Sequence, residues 1–187
     1  MVQHIVTGES TISGEVYLVT GSHGHIGSYI VEELCRQKDN IQIICMDNFY
    51  NANIDNLKES YKVAENKNIK IRDVRVDITD YNLVRETFLK YNPDYVFHCA
   101  SYLTLDSKEN KSRAVQVNTY GSALIFELSL EFGIKKVVYS SSASVYGDAV
   151  EVPMTEEHPF NNRNFYGATK IAGEAMCRAF HDRYGLD

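Results

Sequence analysis

Apolar residues along this chain fall into five short runs, separated by longer segments in which they recur every three or four positions. Val16-Tyr17-Leu18-Val19-Thr20, Ile41 to Met46, Ile69 to Val76, Tyr95 to Cys99 and Lys136 to Ser141 have strand length, and the third alternates weakly. Between the first two, Ile26, Ile30 and Leu34 step by four and predict a helix with those residues as its apolar stripe. Asn53 to Ala64 predicts a second helix, opened by Asn or Asp caps, and Tyr81 to Tyr91 a third that ends before Pro93. Asn110 to Phe132 predicts a long helix stopped by Gly133, and Arg163 to Tyr184 a last one stopped by Gly185. Strands interleaved with helices imply an α/β fold: a doubly wound parallel sheet with helices on both faces. That domain spans residues 16–187. Residues 1–15, rich in small polar side chains, form an N-terminal extension in which an added edge strand finds little support.

Composition narrows the function classes. A chain of 187 residues, 44% hydrophobic and 24% charged, is long enough for one globular domain with a real core. A net charge of -6 argues against nucleic-acid binding through phosphate neutralisation. No apolar run approaches the roughly 20 residues of a membrane span. Met1 to Glu15 lacks the basic start and apolar core of a secretory signal, so a cytoplasmic protein is expected. Cys35, Cys45, Cys99 and Cys177 are widely spaced and read as reduced thiols rather than disulfides or zinc ligands. The histidines offer no metal-ligand spacing beyond His23 and His25, which lie inside a glycine motif, and no metal is expected.

That motif, Thr20-Gly21-Ser22-His23-Gly24-His25-Ile26-Gly27, leaves the first strand and opens the first helix, the context in which a glycine pattern points to a dinucleotide. Gly21 permits the tight turn, Gly24 lets a pyrophosphate approach the backbone, and Gly27 lets the helix pack on the strand. The phosphates would sit at the helix N-terminus, where free N–H groups favour negative charge. His23 either touches a phosphate or faces solvent, and solvent is preferred. Asp47, 20 residues beyond Gly27, ends the second strand, where a carboxylate accepts from an adenosine ribose and repels a 2′-phosphate, favouring NAD over NADP. A turn or cap role competes, since Asp47-Asn48 is also good turn chemistry. Asp77, in Val76-Asp77-Ile78, either meets the adenine edge or caps the next helix. Ser140, Ser141 and Ser142 stand at the C-terminal end of the fifth strand, where open α/β sheets bind ligands; a hydroxyl there could pass a substrate proton toward Tyr166, or the three simply form a serine-rich turn. Tyr166 and Lys170 stand four apart on the last helix and so share a face, and the lysine ammonium favours the phenolate a tyrosine needs to act as a base.

Taken in order, Thr20-Gly21 through Gly27, Asp47-Asn48, Asp77-Ile78, His98-Cys99-Ala100, Asn118-Thr119-Tyr120-Gly121, Ser140 through Gly147 and Tyr166 through Lys170 resemble the extended short-chain dehydrogenase/reductase family. Within it the likeness is to the NAD-dependent nucleotide-sugar 4-epimerases of the UDP-glucose 4-epimerase kind. The resemblance implies a Rossmann fold with NAD held by Gly21, Gly24, His25, Ile26 and Gly27 at the pyrophosphate and by Asp47 with Asn48 at the ribose. Asp77 and Ile78 would meet the adenine, and Ala100 and Ser140 would lie along the cofactor. Asn118 would brace the site from the long helix, and Lys170 would hold the nicotinamide ribose. Tyr166 would take the proton of a sugar 4-hydroxyl that Ser142 hydrogen-bonds, while hydride leaves carbon 4 for NAD and returns to the other face of a 4-keto sugar. The implied substrate is a UDP-sugar, and the implied assembly a homodimer through residues 110–132 and 163–184, whose apolar positions equally serve packing on the sheet. Dehydratase relatives carry an acidic pair where this chain has Ala143 and Ser144. Ser22, His25 and Lys111 depart from the family pattern, and the chain ends where relatives continue into a substrate-binding lobe, which is expected to be absent. An NAD-binding sensor without catalysis, or an NAD(P)H-dependent reductase, are the competing functions.

Overall fold

The computed structural model describes residues 14–187, so an edge strand near the N-terminus falls outside the described residues. Strands β1 (Val16–Thr20), β2 (Ile41–Asp47), β3 (Ile69–Arg75), β4 (Tyr95–His98) and β5 (Lys136–Tyr139) form one parallel sheet in the order β3-β2-β1-β4-β5. This is the Rossmann arrangement. Its strand order reverses at β1, and the crevice opened beyond the carboxyl ends of β1 and β4 is where such sheets bind ligands.

Burial on both faces explains why the strands are nearly continuous apolar runs. Leu18, Ile44, Met46 and Val96 point to one side, into a core with Phe88, Ile125 and Leu128. Their neighbours Tyr17, Val19, Ile43 and Cys45 point to the other, against Val31, Leu34 and Leu57. Register fixes the crevice: Thr20 at the end of β1 lies between Met46 of β2 and His98 of β4.

The helices are α1 (His25–Gln37), α2 (Lys58–Glu65, entered by a 3-10 turn over Ile54–Leu57), α3 (Tyr81–Tyr91), α4 (Thr104–Glu109), α5 (Lys111–Val115), α6 (Ser122–Glu131) and α7 (Phe165–Tyr184). Asn53, Asp80, Asn110 and Asn164 cap their N-termini by accepting from backbone N–H groups one turn in. Three expectations are corrected. The helix from 110 to 132 is not uniform, because a π turn over Gln116–Gly121 joins α5 to α6. Helix α4 is additional; it is one short piece whose Leu105 is 74% exposed, so no apolar period announced it. The buried face of α1 is Gly27, Val31, Leu34 and Cys35, and Ile26 is 54% exposed. The stripe is rotated because α1 must turn Gly27 toward the glycine loop, which leaves Ile26 over the crevice. Among the described residues no helix is long and apolar enough to cross a membrane, and no three His, Cys, Asp or Glu side chains converge as a metal site. The four cysteines are free thiols, Cys35 and Cys45 buried, Cys99 and Cys177 partly so.

Candidate functional site

The glycine loop folds back on itself so tightly that Gly21 and Gly27 have no room for a side chain. Gly21 has φ +65°, and a Cβ on Gly27 would stand 2.1 Å from the Gly21 carbonyl oxygen and 2.8 Å from the Ser22 Cα. Gly27 therefore packs on the loop itself rather than on the strand. Gly24 is the N-cap of α1, with no side-chain cap and no acidic residue in the first turn. The first N–H groups of a 13-residue helix are thus left to an external anion. The loop opens onto a cleft of about 1070 Å³. A smaller, mostly apolar hollow of about 340 Å³ beside Phe126, Val137 and Phe180 lies away from these groups. Converging polar groups make the larger cleft the candidate site.

On the β2–β3 side of the cleft, Asp47 is 8% exposed and accepts from the His23 N–H at 3.0 Å and the Phe49 N–H at 2.8 Å. It holds the glycine loop in place while its carboxylate edges the cleft. His23 corrects the expectation that it faces solvent: it is wholly buried, its ring 4.7 Å from that of Phe49 and its Nε2 3.5 Å from Asp73. The backbone turn that aims its N–H at Asp47 also turns its ring inward. Asp77 does not cap α3, a role Asp80 fills by accepting from the Leu83 N–H. Its carboxylate instead accepts from Thr79, Asn48 and the Arg113 guanidinium. Burial pushes the Asp77 pKa up, but the Thr79 and Asn48 hydrogen bonds and the Arg113 charge together leave it below the ordinary carboxylate value.

A buried polar chain links the cleft floor to α7. His98 is wholly buried, with Nδ1 2.6 Å from Thr20 Oγ1 and Nε2 2.9 Å from Ser122 Oγ. The Ser122 hydroxyl gives its one proton to the Asn118 carbonyl at 2.7 Å, so it accepts from His98 Nε2–H, and Nδ1 accepts from Thr20. Burial, with the nearby Lys170 charge, pushes the His98 pKa down to about 3 and keeps the ring neutral. Asn118 sits within the π turn, a distortion frequent at functional sites. Its amide accepts from Ser101 Oγ and the Tyr102 N–H and donates to the Tyr102 carbonyl and, at 3.0 Å, to Thr169 Oγ1. Thr169 in turn donates to the Tyr166 carbonyl at 2.7 Å. One network thereby positions the turn of α7 that carries Tyr166 and Lys170.

Lys170 is 2% exposed; its Nζ donates to the Ser140 carbonyl at 2.8 Å and lies 4.8 Å from the Tyr139 ring centroid and 5.7 Å from that of Tyr166. Burial pulls its pKa down to about 8, against the lesser opposing effect of Cys99 and Cys177, so the ammonium still predominates at neutral pH. Ser142 caps the short 3-10 turn Ala143–Val145, its Oγ 3.2 Å from the Ser144 N–H. A Cβ on Gly167 would stand 2.4 Å from the Ser144 carbonyl oxygen, which shows how closely the first turn of α7 is pressed onto that turn. Ser141 is committed elsewhere, donating to Glu174.

The Tyr139 hydroxyl is buried without a hydrogen-bond partner among the described residues. Tyr139→Phe keeps the ring under Lys170 and removes an unpaired polar group. It is expected to stabilise the fold by about 1 kcal/mol, a shift in Tm of roughly 2–4 °C. A loss of stability on denaturant titration would mean that the hydroxyl has a partner.

Of the residues predicted to hold a cofactor, Gly21, Gly24, His25, Ile26 and Gly27 all line the cleft, as do Asp47, Asn48, Asp77, Ile78 and Ala100. Asn118 lies buried beside them; Ser140, Tyr166 and Lys170 gather in a second cluster tied to the cleft through Asn118 and Thr169, and Ser142 caps the 3-10 turn pressed against the first turn of α7. Sequence reasoning missed Thr20, Thr169, Tyr139 and Arg113. Thr169 could have been found, one turn from Tyr166 on the same helix; Arg113 carries no local signal.

The family described as NAD dependent epimerase/dehydratase matches residues 17–187. The chain is 33% identical over 165 residues to UDP-glucose 4-epimerase 2 of Arabidopsis thaliana, an alignment covering 88% of this chain and 47% of that protein. The structure of UDP-glucose 4-epimerase from Thermotoga maritima with UDP-glucose superposes with a TM-score of 0.81 at 29% identity, over 91% of this chain and 52% of that one. The UDP-glucose 4-epimerase of Thermus thermophilus, solved in complex with NAD, gives 0.80 at 28% identity, over 91% and 52%. The chain spans about half the length of the curated relatives it matches.

Proposed function

The chain belongs to the NAD dependent epimerase/dehydratase family, and on that premise we propose that residues 16–187 are the cofactor-binding and catalytic half of a nucleotide-sugar 4-epimerase. The observation that carries this is the buried Lys170 ammonium beside the Tyr166 ring, joined by hydrogen bonds to a glycine-loop cleft that Asp47 edges. A protein that only binds a dinucleotide has no need of Ser142, Tyr166 and Lys170 together.

The residues present fit NAD. The uncapped N-terminus of α1 and the crowded glycine loop suit a pyrophosphate, and Asp47 suits a ribose diol while repelling a 2′-phosphate. When bound, NAD supplies a reversible hydride acceptor for carbon 4 of the sugar. The chain's own task is proton transfer at the attached oxygen. Tyr166 takes and returns that proton, Lys170 stabilises the phenolate by its charge, and the Ser140 carbonyl fixes the ammonium. Ser142 offers the same oxygen a hydroxyl from the adjoining turn. Ala143 and Ser144 place no acid–base pair beside it, which favours an epimerase over a dehydratase. The names of the relatives make a UDP-sugar the preferred substrate. Exposed Val115 and Tyr120 on the long helix support, within the same proposal, a homodimer through residues 110–132 and 163–184.

Isothermal titration with NAD tests the cofactor assignment. Asp47→Ala is expected to weaken NAD about 10- to 100-fold, the loss of one or two hydrogen bonds to a charged group at about 1.5–3 kcal/mol in all. A folded wild-type chain that binds no NAD, or an Asp47→Ala variant that binds as well as wild type, overturns it.

A further inference from the structure

The far end of the cleft is not built as an adenine-reading carboxylate would be. Two donors converge on Asp77 Oδ1, the Thr79 N–H at 3.0 Å and the Thr79 hydroxyl at 2.7 Å. Two more converge on Oδ2, the Asn48 amide at 2.9 Å and the Arg113 guanidinium. A carboxylate has about four lone-pair sites, so no acceptor is left over. Arg113 arrives from α5, on the opposite wall, and also approaches Thr79 Oγ1 at 3.3 Å through Nη1. Its side chain is 30% exposed and faces the cleft, and a guanidinium carries five N–H donors. What this end presents to a ligand is therefore a cation with unused donors, in place of a free carboxylate.

Strand order places a base here. The glycine loop follows β1, Asp47 ends β2, and Asp77 with Ile78 follows β3, the next strand outward, while Lys170 and Tyr166 lie on the β5 side. A dinucleotide with its pyrophosphate at the loop lays its purine against Asp77 and Arg113. A purine 6-amino group is a donor and needs an acceptor; a 6-oxo group is an acceptor and needs a donor.

We propose that Arg113 is a specificity-determining residue: by occupying Asp77 and offering its own donors, it makes the site accept a 6-oxo purine at least as well as a 6-amino one in the bound dinucleotide. This rests on the NAD assignment above. Freed of Arg113, Asp77 regains an acceptor for the 6-amino group and opposes the 6-oxo group.

The test compares affinities of NAD and nicotinamide hypoxanthine dinucleotide by isothermal titration. Wild type is expected to bind the hypoxanthine dinucleotide at least as tightly as NAD, to within about threefold, Arg113→Met to prefer NAD by about tenfold or more, and Arg113→Lys to return toward the wild-type ratio. A ratio of affinities is unmoved by any unfolded fraction of a variant, so partial loss of fold does not imitate the effect. A wild-type preference for NAD of about tenfold, or a ratio that Arg113→Met leaves unchanged, overturns the role of Arg113 while leaving NAD binding intact. Failure of a folded wild-type chain to bind either dinucleotide overturns the cofactor assignment, and this proposal with it.

Discussion

Under the proposed 4-epimerase reading, Tyr166→Phe is expected to slow interconversion of UDP-glucose and UDP-galactose by about 10²- to 10⁴-fold, the usual worth of a positioned acid–base group. NAD affinity should move by less than about threefold, because phenylalanine keeps the ring and removes only the hydroxyl. The separation matters because α7 is held from behind. Thr169 bonds the Tyr166 carbonyl, Asn118 bonds Thr169, and Gly167 packs on the Ser144 carbonyl. None of these contacts uses the phenol oxygen, so the fold should not register its loss, and the deficit should appear in kcat. Turnover within about tenfold of wild type would remove Tyr166 as the base and leave Ser142 as the hydroxyl closest to that role. A parallel fall in NAD affinity would instead mean that the phenol holds the cofactor.

Much of the fold was legible because local and global preferences agree in it. Strand β1 and helix α3 begin and end where the sequence predicts, each bounded by strong local chemistry: Gly21 at the end of β1, Asp80 and Asn92 around α3. What could not be seen depends on residues far apart in the chain. The π turn exists where Asn118 reaches Tyr102 on one side and Thr169, 51 residues on, at the other. The Arg113–Asp77 pair joins residues 36 apart, and nothing near either announces the other. The site divides in the same way. Residues supplied by one loop, Gly21 to Gly27, could be found from spacing, whereas the inward turn of His23 follows from Asp47, 24 residues away. Motif order singled out Tyr166 and Lys170 as candidates, but only packing shows that Lys170 is buried.

That burial makes a second large effect measurable, on stability rather than rate. With its pKa drawn down to about 8, chiefly by burial, Lys170 is held below the value near 10.4 of an unfolded lysine. Below pH 8 folded and unfolded chains both carry the proton, and the folded one bears the full penalty, about 3 kcal/mol. Between about pH 8 and 10.4 the unfolded chain binds more protons than the folded one, so this contribution to stability rises with pH across that window. Lys170→Met removes the charge and keeps most of the bulk, and it leaves the Ser140 carbonyl without its donor at a cost of about 1 kcal/mol. The variant is therefore expected to be more stable than wild type by about 2 kcal/mol at pH 7, an advantage that disappears as the pH is raised through the window. Other titrating groups cancel in the comparison, since denaturant curves of the two chains are taken at each pH. The same variant should lose most turnover, as the phenolate loses its counter-charge. Higher stability at pH 7 together with lost activity would identify Lys170 as a residue kept for chemistry at the expense of the fold. Lower stability at pH 7 would mean that its contacts with Ser140 and the two tyrosine rings outweigh the burial, and the ammonium would then be part of the scaffold.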